Sequence, residues 1–153
     1  MYVVVAILCL LVTQSHVQAE SKIDLKDKVT VVTGAARGIG RAMADNLLKE
    51  EVEVEIIVDK NLTQGLVTET EFKTTYDEEK VWFIHGDITT DLDWVFEKIF
   101  EKYEYVHILV NNAGIVEESD PELTLKTNMV APALWSQKFY DVMRNDKGGK
   151  ALQ

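Results

Sequence analysis

The chain has 153 residues, 46% of them apolar, and a formal net charge of -10 at pH 7. That length suits one domain with a core of its own. The acidic balance argues against nucleic-acid binding through a basic surface and fits a solubilising exterior.

Residues 1–19 contain no Asp, Glu, Lys or Arg, and residues 3–12 form a short apolar run. Small residues around Val17-Gln18-Ala19 match a peptidase site, so the segment reads as a secretory signal peptide cut before Glu20, and the protein is expected to be secreted. A cytoplasmic chain with an apolar tail, or an uncleaved anchor, is the alternative. The run is short for a membrane span, and no Lys or Arg precedes it. Cys9, the single cysteine, lies inside it, so residues 20–153 would have no disulfide. That remainder is expected to be one unit.

From Ser21 onward, strand and helix patterns alternate. Val29–Thr33 reads as a first strand and 41–49 as a helix with Ala42, Ala44, Leu47 and Leu48 inward. A second strand is expected over 54–58, ending at Asp59, then a polar helix over 62–75 and a third strand over 81–84. Leu92, Val95, Phe96, Ile99 and Phe100 recur at helical spacing in 91–103. Residues 106–110 read as a fourth strand. Pro121 opens a long helix to about 144, since proline suits a first helical turn. This alternation predicts an α/β fold, a Rossmann-type parallel sheet with flanking helices, followed as far as the fourth strand and the long helix after it.

The first strand runs into Thr33-Gly34-Ala35-Ala36-Arg37-Gly38-Ile39-Gly40, which opens the first helix. Strand, glycine-rich turn and helix N-terminus make a phosphate-binding corner, where free N–H groups and the helix dipole face an anion. Gly34 suits the tight turn, Gly38 lets a pyrophosphate approach and Gly40 lets helix and sheet pack closely. Ala36, Arg37 and Ile39 supply the rest of the loop. Asp59, 25 residues beyond Gly34, is placed to bind ribose hydroxyls and repel a 2′-phosphate, which favours NAD over NADP. Arg37 and Lys60 lie near enough to tolerate that phosphate. Asp87, before Ile88 at the end of the third strand, either meets an adenine edge or caps Thr89-Thr90. In Asn111-Asn112-Ala113-Gly114 the amides can pin neighbouring strand ends and Gly114 leaves room for a flat ring. No metal site is expected.

In this order, Thr33-Gly34-x-x-x-Gly38-x-Gly40, Asp59, Asp87, Asn111-Asn112-Ala113-Gly114 and Asn128 resemble the short-chain dehydrogenase/reductase family over about residues 26–150. Stretches 33–42 and 124–129 are most similar to its 15-hydroxyprostaglandin dehydrogenase and insect alcohol dehydrogenase-like branches. The resemblance implies NAD(P)-dependent hydride transfer on a small alcohol or carbonyl, with Asn128 supporting a proton relay. The long helix 121–144 is the candidate surface for a homo-oligomer. Two departures stand out. Glu50-Glu51-Val52-Glu53 replaces a shorter glycine-containing turn. Asn61-Leu62-Thr63 is a glycosylation sequon beside the adenosine end.

The family's Ser and Tyr-x-x-x-Lys follow a fifth strand, and the sequence reaches Gln153 before them. Tyr76-Asp77-Glu78-Glu79-Lys80 fits by letter but precedes the third strand, and its acids would raise the Tyr pKa. Ser136 and Tyr140 do not match, because Arg144 and not Lys follows Tyr140. The expected reading is an N-terminal part of an NAD-dependent dehydrogenase with no alcohol oxidation of its own. The alternative is a non-catalytic secreted dinucleotide-binding or protein-interaction product of the same family. On either reading the fourth strand is expected to be an open sheet edge, and Met129, Val130, Leu134, Trp135 and Phe139 to lack packing partners.

Overall fold

A computed structural model describes residues 24–143. The expected signal peptide 1–19, Cys9 and the helix end near 144 lie outside the described residues. Seven elements, β1 (Val29–Thr33), α1 (Gly38–Lys49), β2 (Val54–Asp59), α2 (Leu62–Thr75), β3 (Val81–His85), α3 (Leu92–Lys102) and β4 (Ile108–Val110), keep the expected alternation, with a 3-10 turn Glu78–Lys80 before β3. The eighth, α4 (Pro121–Leu125), continues through a π-helical turn Lys126–Val130 into α5 (Ala131–Met143). The long helix expected from 121 is therefore one rod with a widened turn inside it.

The sheet is parallel in the order β3-β2-β1-β4. Val31 sits level with Ile56 and Leu109, and Ile57 with Phe83. Both faces are covered, so the central strands are apolar on both sides. On one face Val31, Ile56, Val58, Val95, Ile99, Trp135 and Phe139 pack beneath α3 and α5. On the other, Val32, Ile57, Ala44, Leu48, Phe72 and Phe83 pack beneath α1 and α2. The fold is an α/β Rossmann-type sandwich.

Three expectations need correction. Ala42 is exposed, because α1 starts at Gly38 and buries Gly40, Ala44 and Leu48. β4 starts at Ile108, so Val106 is buried ahead of it. The exposure expected along the long helix holds for Met129, Val130 and Leu134 but not for Trp135 and Phe139, which are 1% and 0% exposed. Those two rings face α3, where Phe139 meets Phe96 edge-on at 5.2 Å. Among the described residues β4 pairs only with β1.

The turn after α1 closes without glycine. The Glu50 N–H reaches the Asn46 and Leu47 carbonyls and the Glu51 N–H reaches Leu48, while Glu51 takes φ +62°. A left-handed residue there ends a helix in the usual way, at a steric cost that glycine would avoid.

Where α2 crosses β3, the Phe83 ring lies directly over Gly65, and a Cβ would overlap its carbons. Phe83 is 8% exposed and cannot swing away. Alanine gains about 1 kcal/mol of helix propensity over glycine, but forcing a methyl into a packed core costs about 1–3 kcal/mol. Gly65→Ala is expected to lower the urea midpoint; an unchanged midpoint would show that α2 lifts freely from the sheet.

One polar pair is buried in the sheet itself. Thr30 and Glu55 are side by side in register, each 0% exposed, on the α1–α2 side. The Thr30 hydroxyl contacts both the Val54 carbonyl at 3.1 Å and Glu55 Oε2. A hydroxyl has one hydrogen, so both contacts are hydrogen bonds only if Glu55 supplies the second proton. A protonated Glu55 donates to Thr30 Oγ1, which donates to Val54. Burial pushes the Glu55 carboxyl up to about 8; only in the charged state would the Thr30 hydroxyl turn to donate to Oε2, and that bond opposes the shift. Oε1 has no partner among the described residues.

Candidate functional site

The C-terminal ends of the strands frame a cleft of about 300 Å³. It opens beside β1, where the chain turns from building outward through β2 and β3 to building the other way through β4. Ligands of open α/β sheets bind at such a reversal. Its lining includes Gly34, Arg37, Gly38, Ile39, Gly40, Asp59, Lys60, Asp87, Ile88, Asn112, Ala113 and Gly114. These residues come from four strand ends and were each proposed from the sequence. Ala36, also expected, is fully buried just behind the loop.

Local backbone geometry explains the loop. Gly34 and Gly38 have φ of +67° and +61°, the left-handed region that glycine enters without strain. The Gly34 N–H donates to the Val58 carbonyl at 2.7 Å, pinning the turn to β2. The Thr68 hydroxyl donates to Ala36 O at 2.7 Å, pinning it to α2. Arg37 is extended at the α1 N-cap and its side chain makes no cap bond. The first-turn amides of α1 are thus left for a ligand. A Cβ on Gly38 would meet nothing within 4 Å, so a ligand has open approach there.

Asp59 is held from two sides. Oδ2 accepts from the Ala36 N–H at 3.0 Å and Oδ1 from the Asn61 N–H at 2.9 Å. A carboxylate oxygen has further lone pairs, so the group is fixed yet can still accept. Lys60 follows it, and its carbonyl meets His85 Nε2 at 3.0 Å. Asp87 caps the turn after β3, its Oδ1 accepting from the Thr89 N–H at 2.8 Å and hydroxyl at 2.7 Å, and the residue also lines the cleft. Partial burial opposes its charge, but the two Thr89 bonds, with Lys60 and Lys126 nearby, hold its carboxyl below the ordinary range.

The asparagines act as braces. Asn112 Nδ2 donates to the Thr33 carbonyl at 3.0 Å and the Gly34 carbonyl at 3.2 Å, tying β4 to the loop. Asn111 Nδ2 donates to Ser136 Oγ at 2.9 Å, tying β4 to α5. Asn128 lies in the π-helical turn, a feature that often marks a functional position. Its Nδ2 donates to the Ile115 carbonyl at 2.7 Å and its Oδ1 accepts from the Ile115 N–H at 2.9 Å. It therefore fixes the segment after Gly114.

Sequence reasoning assigned no role to Thr33, whose hydroxyl oxygen accepts from the Asn112 and Ala113 amides at 3.1 and 3.2 Å. Its place just before Gly34 was the available signal. Tyr76 is not among the residues that line the cleft. Its hydroxyl donates to Asp45 Oδ1 at 2.6 Å, and burial with that bond pushes it up to about 12. A Tyr so held makes a poor base.

A parallel sheet with a glycine corner at its reversal point defines the doubly wound α/β proteins. Within them, this chain belongs to the short chain dehydrogenase family, whose model matches residues 28–153. It is 36% identical over 125 residues to human 15-hydroxyprostaglandin dehydrogenase (NAD+), covering 80% of this chain and 47% of that one. An uncharacterized oxidoreductase of Thermotoga maritima is 31% identical over 134 residues, 82% of this chain and 52% of that one. A solved putative gluconate dehydrogenase from Agrobacterium tumefaciens superposes with a TM-score of 0.72 at 27% identity, over 84% of this chain and 54% of its own. L-Sorbose reductase from Gluconobacter frateurii, solved with NADPH and L-sorbose, superposes with a TM-score of 0.73 over 84% of this chain and 52% of its own; at 23% identity it shows the fold alone. The chain spans about half the length of the curated relatives it matches.

Proposed function

We propose that the cleft binds NAD, in preference to NADP, as the cofactor end of a short chain dehydrogenase that oxidises a small secondary alcohol to a ketone. The observation carrying this reading is the set of uncapped α1 amides facing the same cleft as the doubly braced Asp59. The amides suit a pyrophosphate, and Asp59 suits ribose hydroxyls. A fixed carboxylate repels a 2′-phosphate at short range, and the flexible Arg37 and Lys60 offset that only in part. Asp87 and Ile88 would border the adenine. Asn112, Ala113 and Gly114 would border the nicotinamide ribose and ring. Bound there, the nicotinamide supplies hydride transfer. Asn128 holds the Ile115 backbone at that end, which supports the family's proton relay by keeping its surroundings in place.

Calorimetry of the pure chain with NAD and NADP tests the reading. NAD should bind more tightly. Asp59→Asn should weaken NAD about tenfold or more, since hydrogen bonds to charged groups contribute about 1.5–3 kcal/mol, and bring NADP close to NAD. No heat with millimolar NAD would eliminate the dinucleotide site. An unchanged NAD-to-NADP ratio in the variant would eliminate the role of Asp59.

A further inference from the structure

Trp135 is buried on α5, where its ring stacks on Phe139 with centroids 5.7 Å apart and planes 8° from parallel. Its packing accounts for the ring but not for the indole nitrogen. Nε1–H donates to the Ile88 carbonyl at 2.9 Å, crossing from α5 to the loop after β3.

That bond clamps a particular peptide unit. In the trans peptide joining Ile88 and Thr89, the carbonyl and the N–H point in opposite directions across one rigid plane. The carbonyl is held by Trp135, and the Thr89 N–H donates to Asp87 Oδ1 at 2.8 Å. The chain of contacts runs from the indole through the peptide to a carboxylate that lines the cleft. With the carbonyl held, the plane cannot rotate, and the Thr89 amide stays aimed at Asp87. Oδ1 is occupied by Thr89, which leaves Oδ2 to meet a ligand.

We infer that Trp135 is a positioning residue for Asp87, and through it for recognition of the exocyclic amine of a purine at this end of the cleft. The inference rests on the dinucleotide reading above and goes beyond it in naming a residue of the core helix as part of base selection. Trp135 does not border the cleft, and its indole N–H acts only through the 88–89 peptide. Nothing in its sequence position announces this role, since an apolar residue at that spacing is expected only to pack.

Nicotinamide hypoxanthine dinucleotide tests it, because it replaces the adenine amine with a carbonyl, turns the neighbouring N1 from an acceptor into an N–H, and leaves the sugars, phosphates and nicotinamide of NAD unchanged. The wild-type 153-residue chain should bind NAD at least tenfold more tightly than this analogue. Trp135→Phe keeps an aromatic ring on Phe139 but deletes the N–H donor. It should melt within a few degrees of wild type and lose most of the preference, leaving about threefold or less. A folded variant with the full preference overturns the inference, as does a wild-type chain that binds both dinucleotides equally. A wild-type chain that binds neither overturns the dinucleotide reading itself. Should Trp135→Phe fail to fold, the wild-type chain labelled with 15N at its indoles gives a second readout. The Trp135 Nε1–H resonance should shift on saturation with NAD and shift less with the hypoxanthine analogue. A resonance that both dinucleotides leave unmoved overturns the inference.

Discussion

Replacing Glu55 with glutamine is expected to flatten the pH dependence of stability between about pH 4.5 and 8. The carboxyl sits near 4.5 in an ordinary environment and is pushed up to about 8 in the fold. Between those values the native state keeps the proton and the unfolded state has lost it. Stability therefore falls as pH rises through the window, by roughly 1 kcal/mol per pH unit. The contribution of the neutral acid is fully present below the lower value and is lost as pH passes the upper one. Above pH 8 the fold must hold a bare, fully buried carboxylate, with one oxygen unpartnered among the described residues. Glutamine cannot ionise, and its amide can donate to Thr30 as the protonated acid does. Urea midpoints at pH 5, 6.5 and 8 should fall steadily for wild type and stay level for Glu55→Gln, with the variant the more stable at pH 8. Parallel lines for the two proteins would mean that Glu55 is charged in the fold.

Gly40→Ala is expected to abolish dinucleotide binding and to destabilise the fold by about 3 kcal/mol, the upper end of overpacking. A Cβ at position 40 would overlap Gly34 O and Asn112 Nδ2. Neither can yield cheaply. Gly34 is anchored through its N–H to Val58, and the Asn112 amide spans to both Thr33 O and Gly34 O. The methyl must push α1 away from the β1–β4 seam, which breaks the Asn112 brace and moves the amides that face the cleft. Gly38→Ala provides the contrast. Its methyl enters open space, so the fold bears only the strain of φ +61°, on the order of 1–2 kcal/mol. Both variants should weaken NAD binding, because the Gly38 methyl projects where the ligand approaches. Only Gly40→Ala should lower the urea midpoint strongly. Equal midpoints for the two would show that the helix–sheet contact at Gly40 is soft.

Much of the candidate cleft was legible because its signals are local. The run Val29–Thr33 followed by Gly34 and Gly38 encodes a strand and a turn within ten residues, and Asp59 ends a strand of the same kind. Asn128 was found through resemblance. The π-helical turn that carries it was not, because a widened turn leaves no periodic mark in five residues. Ala42 was placed inward from apolarity alone. The Gly38 start of α1 and the close approach at Gly40 set the buried face through 40, 44 and 48 instead. Glu55 gave no warning of its full burial. Its environment is assembled from Thr30 on β1 and from α1 and α2 packed above, none of which a window around position 55 contains. Trp135 read as core and is core. Its donor bond depends on Ile88, 47 positions earlier.

By itself, the sequence determined the alternation of strands and helices, the glycine-rich corner between β1 and α1 and the carboxylate at the end of β2. Each depends on neighbours within a turn or a strand, where backbone sterics and hydrophobic period act directly. The tertiary structure decided the strand order, the burial of Glu55 beside Thr30, the locking of Asn112 across the loop and the clamp from Trp135 to Asp87. Those depend on groups tens of residues apart meeting in a dry, packed interior, where one unpaired proton or one extra methyl outweighs any local preference.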